Sequence, residues 1–255
     1  MANRPILVVA GIGTGAGTGA STARIFSKAG YRVALIARDA SSLQTFATSL
    51  NESGGDAHAF PISSYTHSSI HDAFTAIKQH WSGANGKAEI RVAVWNTASG
   101  VFKPFLSVTE EEIKNSADIN IVGAFAFSRE VILTFKENGL DAKGKRGTLL
   151  FTGATASIRG NVLTSSFAAG KSGLRALSQS LAKEFGKENI HVAHAIIDGI
   201  ILTGRTKAPR DSDWAENEDV RLNADSIAEA YLYLVNQDRS AWTWELDLRP
   251  AHEKW

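Results

Sequence analysis

Cysteine is absent from the 255 residues. That removes disulfides, thiolate nucleophiles and Cys-ligated zinc, and leaves the redox compartment open. An excess of one charge is missing too: Lys and Arg number 27 against 26 for Asp and Glu, a net charge of +1. This balance gives no electrostatic reason to expect nucleic acid or an anionic membrane as partner, so any basic site must be local. No apolar run is long enough to span a bilayer. The opening stretch, MANRPILVVAGIG, is too short for a signal peptide and leads straight into a glycine-rich turn, so it reads as mature structure, with a cytoplasmic setting as the default. The seven histidines show no HExxH or other ligand spacing and no G-x-S-x-G elbow occurs, so no metal is expected and acyl-enzyme hydrolysis has no support. No linker, repeat or low-complexity tract divides the chain, and residues 1–255 are expected to form one domain.

What is present is enough apolar material, 44% of residues, to bury a large core. Apolar, β-rich runs recur at 5–10, 31–37, 56–60, 89–95, 147–152, 190–197 and 243–248, with helix-period segments near 18–29, 40–53, 66–82, 109–138, 164–187 and 224–237. Alternation of strand and helix predicts a doubly wound α/β fold, a parallel sheet of about seven strands with helices on both faces, because each parallel crossover needs a helix. Thr109 with Glu112 three residues on is a capping-box pattern, and Gly30 closes the first helix. Residues 204–223 lack periodicity and carry mixed charge, which predicts a mobile loop. Trp242 and Trp244 alternate on the expected last strand, with both rings on one face for core or oligomer packing.

Between the first strand and first helix lies AGIGTGAGTGAS, residues 10–21. A glycine-rich turn in a βαβ unit lets backbone approach a diphosphate, and the helix start offers unpaired N–H groups and a positive dipole end. Nucleotide binding is the expectation.

With these features the chain resembles the short-chain dehydrogenase/reductase superfamily, over essentially its whole length. Counting back from Gly30, the family's GxxxGxG falls on Gly13, Gly17 and Gly19, with Thr18 between the last two. WNTA (95–98) resembles its NNAG turn with Asn96 kept, and Asn120 in NIVG matches its helix asparagine. Asp198-Gly199 stands where the family usually has Pro-Gly, and Thr203 matches a threonine that meets the cofactor's diphosphate or carboxamide. The resemblance implies a Rossmann-type sheet, a nicotinamide cofactor, a small-molecule substrate and association into a homodimer or homotetramer. At the end of the second strand Ala37 occupies the position that is acidic in NAD enzymes, and Arg38 follows. Arg38 can offer a planar fork to a 2′-phosphate, so NADP is expected ahead of NAD. Asp39 is expected to cap the next helix. Ser63 stands where many relatives carry an adenine-contacting aspartate.

In the family a tyrosine moves the proton of the reacting carbonyl, a serine orients its oxygen, a lysine holds the nicotinamide ribose, and an asparagine holds a relay water. Laid on this chain without a gap, the motif gives Ala154, Phe167 and Lys171 alongside Asn120. Serine and tyrosine are therefore replaced, and Phe167 cannot exchange a proton. Substitute donors within reach in the sequence are Thr155, Ser157, Ser165, Ser166 and Asp198, the last a useful acid if burial raises its pKa. Their ordinary roles are helix caps for Ser165 and Ser166, loop hydrogen bonds for Thr155 and Ser157, and a turn for Asp198. The expected function is NADP(H)-dependent oxidoreduction of a small carbonyl or activated double bond with an atypical donor and the loop 204–223 covering the substrate, against nucleotide binding without turnover or redox-neutral chemistry in the same pocket.

Overall fold

The structure, a computed structural model, describes residues 4–13, 15–82 and 89–254. Thr14 of the glycine-rich turn and the first three residues of the opening stretch lie outside the described residues.

Seven strands, β1 (Ile6–Ala10), β2 (Arg32–Ala37), β3 (Ala57–Pro61), β4 (Ile90–Trp95), β5 (Gly147–Thr152), β6 (Ile190–Ile197) and β7 (Glu245–Leu248), form one sheet in the order β3-β2-β1-β4-β5-β6-β7. Every pairing is parallel. Strands β1, β5 and β6 are buried along their entire length, as befits continuous apolar runs covered on both faces. Helices α1 (Thr18–Lys28), α2 (Ala40–Glu52) and α9 (Ala224–Asn236) cover one face, and α3 (His67–His80), α5 (Gly123–Lys136) and α6 (Ser165–Phe185) the other. The strand order reverses beside β1, which pairs with both β2 and β4. In such sheets the crevice at the strand C-termini beside the reversal is where ligands sit.

Several expectations change. The stretch 109–138 is not one helix: α4 (Glu110–Ala117) passes through a π-helical turn, Asp118–Val122, before α5 begins. The turn contains Asn120, whose carboxamide donates to the Ser116 carbonyl (2.9 Å) and to the Ser99 carbonyl (2.5 Å); side-chain competition of this kind widens the helical ladder, and π-turns recur at functional positions. Residues 204–223 hold two short helices, α7 (Gly204–Lys207) and α8 (Ser212–Glu216), capped by Thr203 and Asp211. Each is too short to display a periodic apolar face. Trp242 and Trp244 precede β7 rather than lying on it. The Trp242 ring stacks on His191 at 4.9 Å and the Trp244 ring lies 5.8 Å from the Arg175 guanidinium. Ser165 and Ser166 do not cap α6: the N-cap is Thr164, and the helix start has no side-chain cap. The capping box at Thr109 and the Asp39 cap on α2, through Ser42 N at 3.1 Å, are both present.

Candidate functional site

The glycine-rich turn is built by contacts that exclude side chains. A Cβ at Gly19 would stand 2.1 Å from the Gly11 carbonyl oxygen, and one at Gly11 2.6 Å from Thr97 N. Gly19 thus lets α1 start directly against the end of β1. Asn96 ties the same corner from β4, its backbone N–H donating to Ala10 O (2.9 Å) and its carboxamide to Gly11 O (2.6 Å). Among the described residues, chain neighbours aside, no atom lies within 4 Å of the Cβ positions of Gly13, at φ +58°, and Gly17, so these positions face free space. Gly17 is the N-cap of α1, without a side-chain cap and with no acidic residue in the first turn. The helix start keeps unpaired N–H groups and its partial positive charge. Thr18 is buried, and its Oγ1 has no hydrogen-bond partner among the described residues. Arg24, which sequence reading passed over, braces the turn by donating to Gly15 O at 3.0 Å.

Arg38 follows β2 at the same end of the sheet, exposed, with its guanidinium 5.6 Å from the Tyr65 ring centre. Asp39 is occupied with Ser42. Ser63 lies 3.4 Å from the Ser69 hydroxyl at the start of α3.

The second half of the site surrounds α6. Lys171 is buried, and its ammonium donates to the Thr152 carbonyl at 2.7 Å. Burial pushes its pKa down to about 8. Phe167, one turn earlier, puts its ring centre 5.9 Å from the Lys171 nitrogen. That ring sits tightly against Gly100, where a Cβ would come within 2.6 Å of it, and 5.3 Å from the Phe102 ring. Gly170 packs on Asn120, with a Cβ position 2.7 Å from the carboxamide nitrogen. Asn120 is fully buried in a small polar cluster in which the Ser116 hydroxyl bridges to Ser166 O at 3.1 Å. The structure thus brings Asn120, Phe167 and Lys171 together at the head of α6.

Ala154 follows β5 and offers only its backbone, whose N–H donates to the Ser157 hydroxyl at 3.0 Å. Thr155 donates to Asp198 at 2.5 Å. Asp198 is buried, as required for the acid it was expected to become, but Arg159 (3.3 Å) and Arg249 (3.4 Å) both reach it. Two guanidiniums and a hydroxyl are directed at Asp198; the two arginines, distant in sequence, gave no local signal. Ser166 Oγ accepts from Val101 N at 3.5 Å and is buried. Gly199 packs on Pro250, while Thr203 caps α7 and shares a 3.0 Å contact with the Thr206 hydroxyl.

Beneath Lys171, one turn further along α6, Arg175 makes a two-pronged pair with Glu245 (2.6 and 2.7 Å), which also meets His194 Nδ1 at 3.0 Å. Burial alone would raise the Glu245 pKa, but the Arg175 fork outweighs it and holds the carboxyl below its usual range. Burial pushes His194 down to about 4, which leaves it neutral near pH 7. This floor was legible only in the i, i+4 spacing of Lys171 and Arg175. Among the described residues, no group of three His, Cys, Asp or Glu side chains could hold a metal, and no helix is long and apolar enough to cross a membrane.

Against known proteins, the model of the short chain dehydrogenase family matches residues 7–214. A rat (Rattus norvegicus) 3-oxoacyl-[acyl-carrier-protein] reductase is 26% identical over 212 residues, 82% of each chain. Among solved structures, a short-chain dehydrogenase from Rhodopseudomonas palustris superposes with a TM-score of 0.77 at 28% identity, covering 96% of this chain and 98% of that one. An alcohol dehydrogenase from the archaeon Thermococcus sibiricus, complexed with 5-hydroxy-NADP, superposes with a TM-score of 0.81 at 21% identity over 98% of both chains.

Proposed function

The chain belongs to the short-chain dehydrogenase family, and from that premise we propose that it is an NADP(H)-dependent oxidoreductase acting on a small organic carbonyl or activated double bond, with NAD(H) the weaker cofactor. The observation that carries this reading is Lys171: a buried ammonium with a single hydrogen bond among the described residues, to Thr152 O, has donor capacity left over for the hydroxyls of a nicotinamide ribose. The free space at Gly13 and Gly17 beside the uncapped start of α1 suits a diphosphate. Asn96 holds the turn in shape, Arg38 offers a fork for the 2′-phosphate, and Thr18, Gly199 and Thr203 line the remaining path. When bound, the nicotinamide supplies hydride chemistry at C4. Asn120 and Lys171 orient the reacting partners, while Ala154 and Phe167 exclude water and give no proton. The rat relative, named a reductase, supports reductive chemistry.

A second reading, nucleotide binding without turnover or with redox-neutral chemistry, is favoured by those same two side chains, since neither can act as an acid. We further propose that residues 1–255 form one domain, that it works in the cytoplasm as a homodimer or homotetramer, and that its partners are small molecules rather than nucleic acid or membrane. Calorimetric titration with NADPH and NADH tests the cofactor: tighter NADPH binding is the expected result, and equal affinities overturn the preference.

A further inference from the structure

We propose that the group reduced at this site is an iminium cation, a C=N⁺ carbon carried in an apolar ring or chain; the inference rests on the NADP(H) reading above and names its substrate class. A carbonyl that receives a hydride becomes an alkoxide and needs a proton or hydrogen-bond donor as the charge develops. At the end of β5 and the head of α6, the side chains at positions 154 and 167 cannot meet that need. Ala154 has no polar side chain and Phe167 presents a ring. Thr155, the next side chain along, gives its hydroxyl proton to Asp198, so the lone pairs of its oxygen are what remain to offer. Asp198 is itself an acceptor, with Arg159 and Arg249 paired to it. The Phe167 and Phe102 rings, 5.3 Å apart and tilted by 47°, supply electron-rich faces, and Phe167 already has one cation, Lys171, at 5.9 Å.

Phe102 is 64% exposed, and Val162, 80% exposed, lies in the loop whose Leu163 carbonyl accepts from Lys103 N. Phe102 thus exposes apolar surface beside the Phe167 ring. An iminium matches that surface and removes the missing-acid problem. The hydride forms a C–H bond at the iminium carbon, and the C=N π pair becomes the nitrogen lone pair. The positive charge passes to the oxidised nicotinamide, the amine leaves neutral, and no proton moves.

The test uses the full chain in neutral buffer, titrated first with NADPH. NADPH oxidation is then followed with an N-methylated dihydroisoquinolinium and with its fused-ring ketone counterpart, tetralone. The iminium is expected to react at least about a hundredfold faster, the scale of a missing general acid. Independently of turnover, calorimetry should show N-methylisoquinolinium binding the NADP-loaded protein about threefold or more tighter than neutral isoquinoline. Phe167→Leu should erase that preference and Phe167→Tyr should keep it. Tetralone reduced as fast as the iminium overturns the proposal, as does NADPH binding with neither turnover of the iminium nor preference for the cation. Failure to bind NADPH overturns the cofactor reading and this one with it.

Discussion

The Lys171 ammonium stands 5.9 Å from the centre of the Phe167 ring, with the Thr152 carbonyl oxygen at 2.7 Å and no carboxylate paired with it among the described residues. A buried cation so placed lowers stability: its pKa is about 8 in the fold against 10.5 for a free lysine. Between those two values the unfolded chain binds more protons than the native one, so stability climbs with pH there; below about 8 the full penalty applies, and above 10.5 it is gone. Lys171→Met should therefore stabilise the cofactor-free protein by roughly 1 to 3 kcal/mol near neutral pH. Urea denaturation across pH checks this, and a gap that does not narrow as pH rises through this window contradicts it.

Binding should move the other way. Lys171→Ala is expected to weaken NADPH binding by about 1 to 3 kcal/mol, the worth of hydrogen bonds from a charged donor, while Phe167→Tyr leaves it nearly unchanged. The new phenol, beside a cation that favours tyrosinate, should bring carbonyl reduction into view, and more so with Ala154→Ser. Calorimetry decides the first part: unchanged affinity in Lys171→Ala would mean that the lysine is not at the cofactor.

Arg38 bears on cofactor choice. With Asp39 committed to Ser42, Arg38→Ala should remove most of the preference for NADPH over NADH, about tenfold in affinity. Parallel titrations with both cofactors measure it, and a preference that survives the substitution assigns the 2′-phosphate elsewhere.

Two glycines of the same turn should behave differently. Gly19→Ala places a methyl 2.1 Å from the Gly11 carbonyl oxygen, so the fold itself should lose about 1 to 3 kcal/mol. Gly17→Ala meets no atom of the described residues beyond its chain neighbours within 4 Å and should leave the denaturation midpoint nearly unchanged while obstructing the diphosphate. Equal loss of stability in both variants would refute this division.

Association is expected from the apolar side chains exposed along α4, the π-turn and α5: Ile113, Val122, Phe125 and Leu133. Exposed apolar surface of this kind favours a second copy of the chain in closed symmetry. Light scattering should give a dimer or tetramer mass at micromolar concentration, Phe125→Glu should lower it, and a monomer mass for the unaltered chain ends the idea.

Local order was legible in the sequence because it is written in local spacing. Continuous apolar runs announced β1, β5 and β6, helical periodicity announced the covering helices, and short-range polar pairs announced the caps at Thr109 and Asp39. That Phe167 carries no exchangeable proton was equally plain, being a matter of one side chain's chemistry. Helices α7 and α8 were invisible because helices of four and five residues are too short to carry a period. The π-turn at Asn120 escaped for another reason: the Asn120 carboxamide is also held by the Ser99 carbonyl, which lies 21 residues away. The same holds for Asp198, whose arginines come from the loop after β5 and the segment after β7, and for Lys171, whose acceptor, Thr152 O, is a backbone oxygen that ends a strand. Sequence by itself determined the strands, the long covering helices and which side chains carry no exchangeable proton. Only the tertiary structure decided which charges are paired, because pairing depends on distances set by the sheet order and the packing of α6 across it.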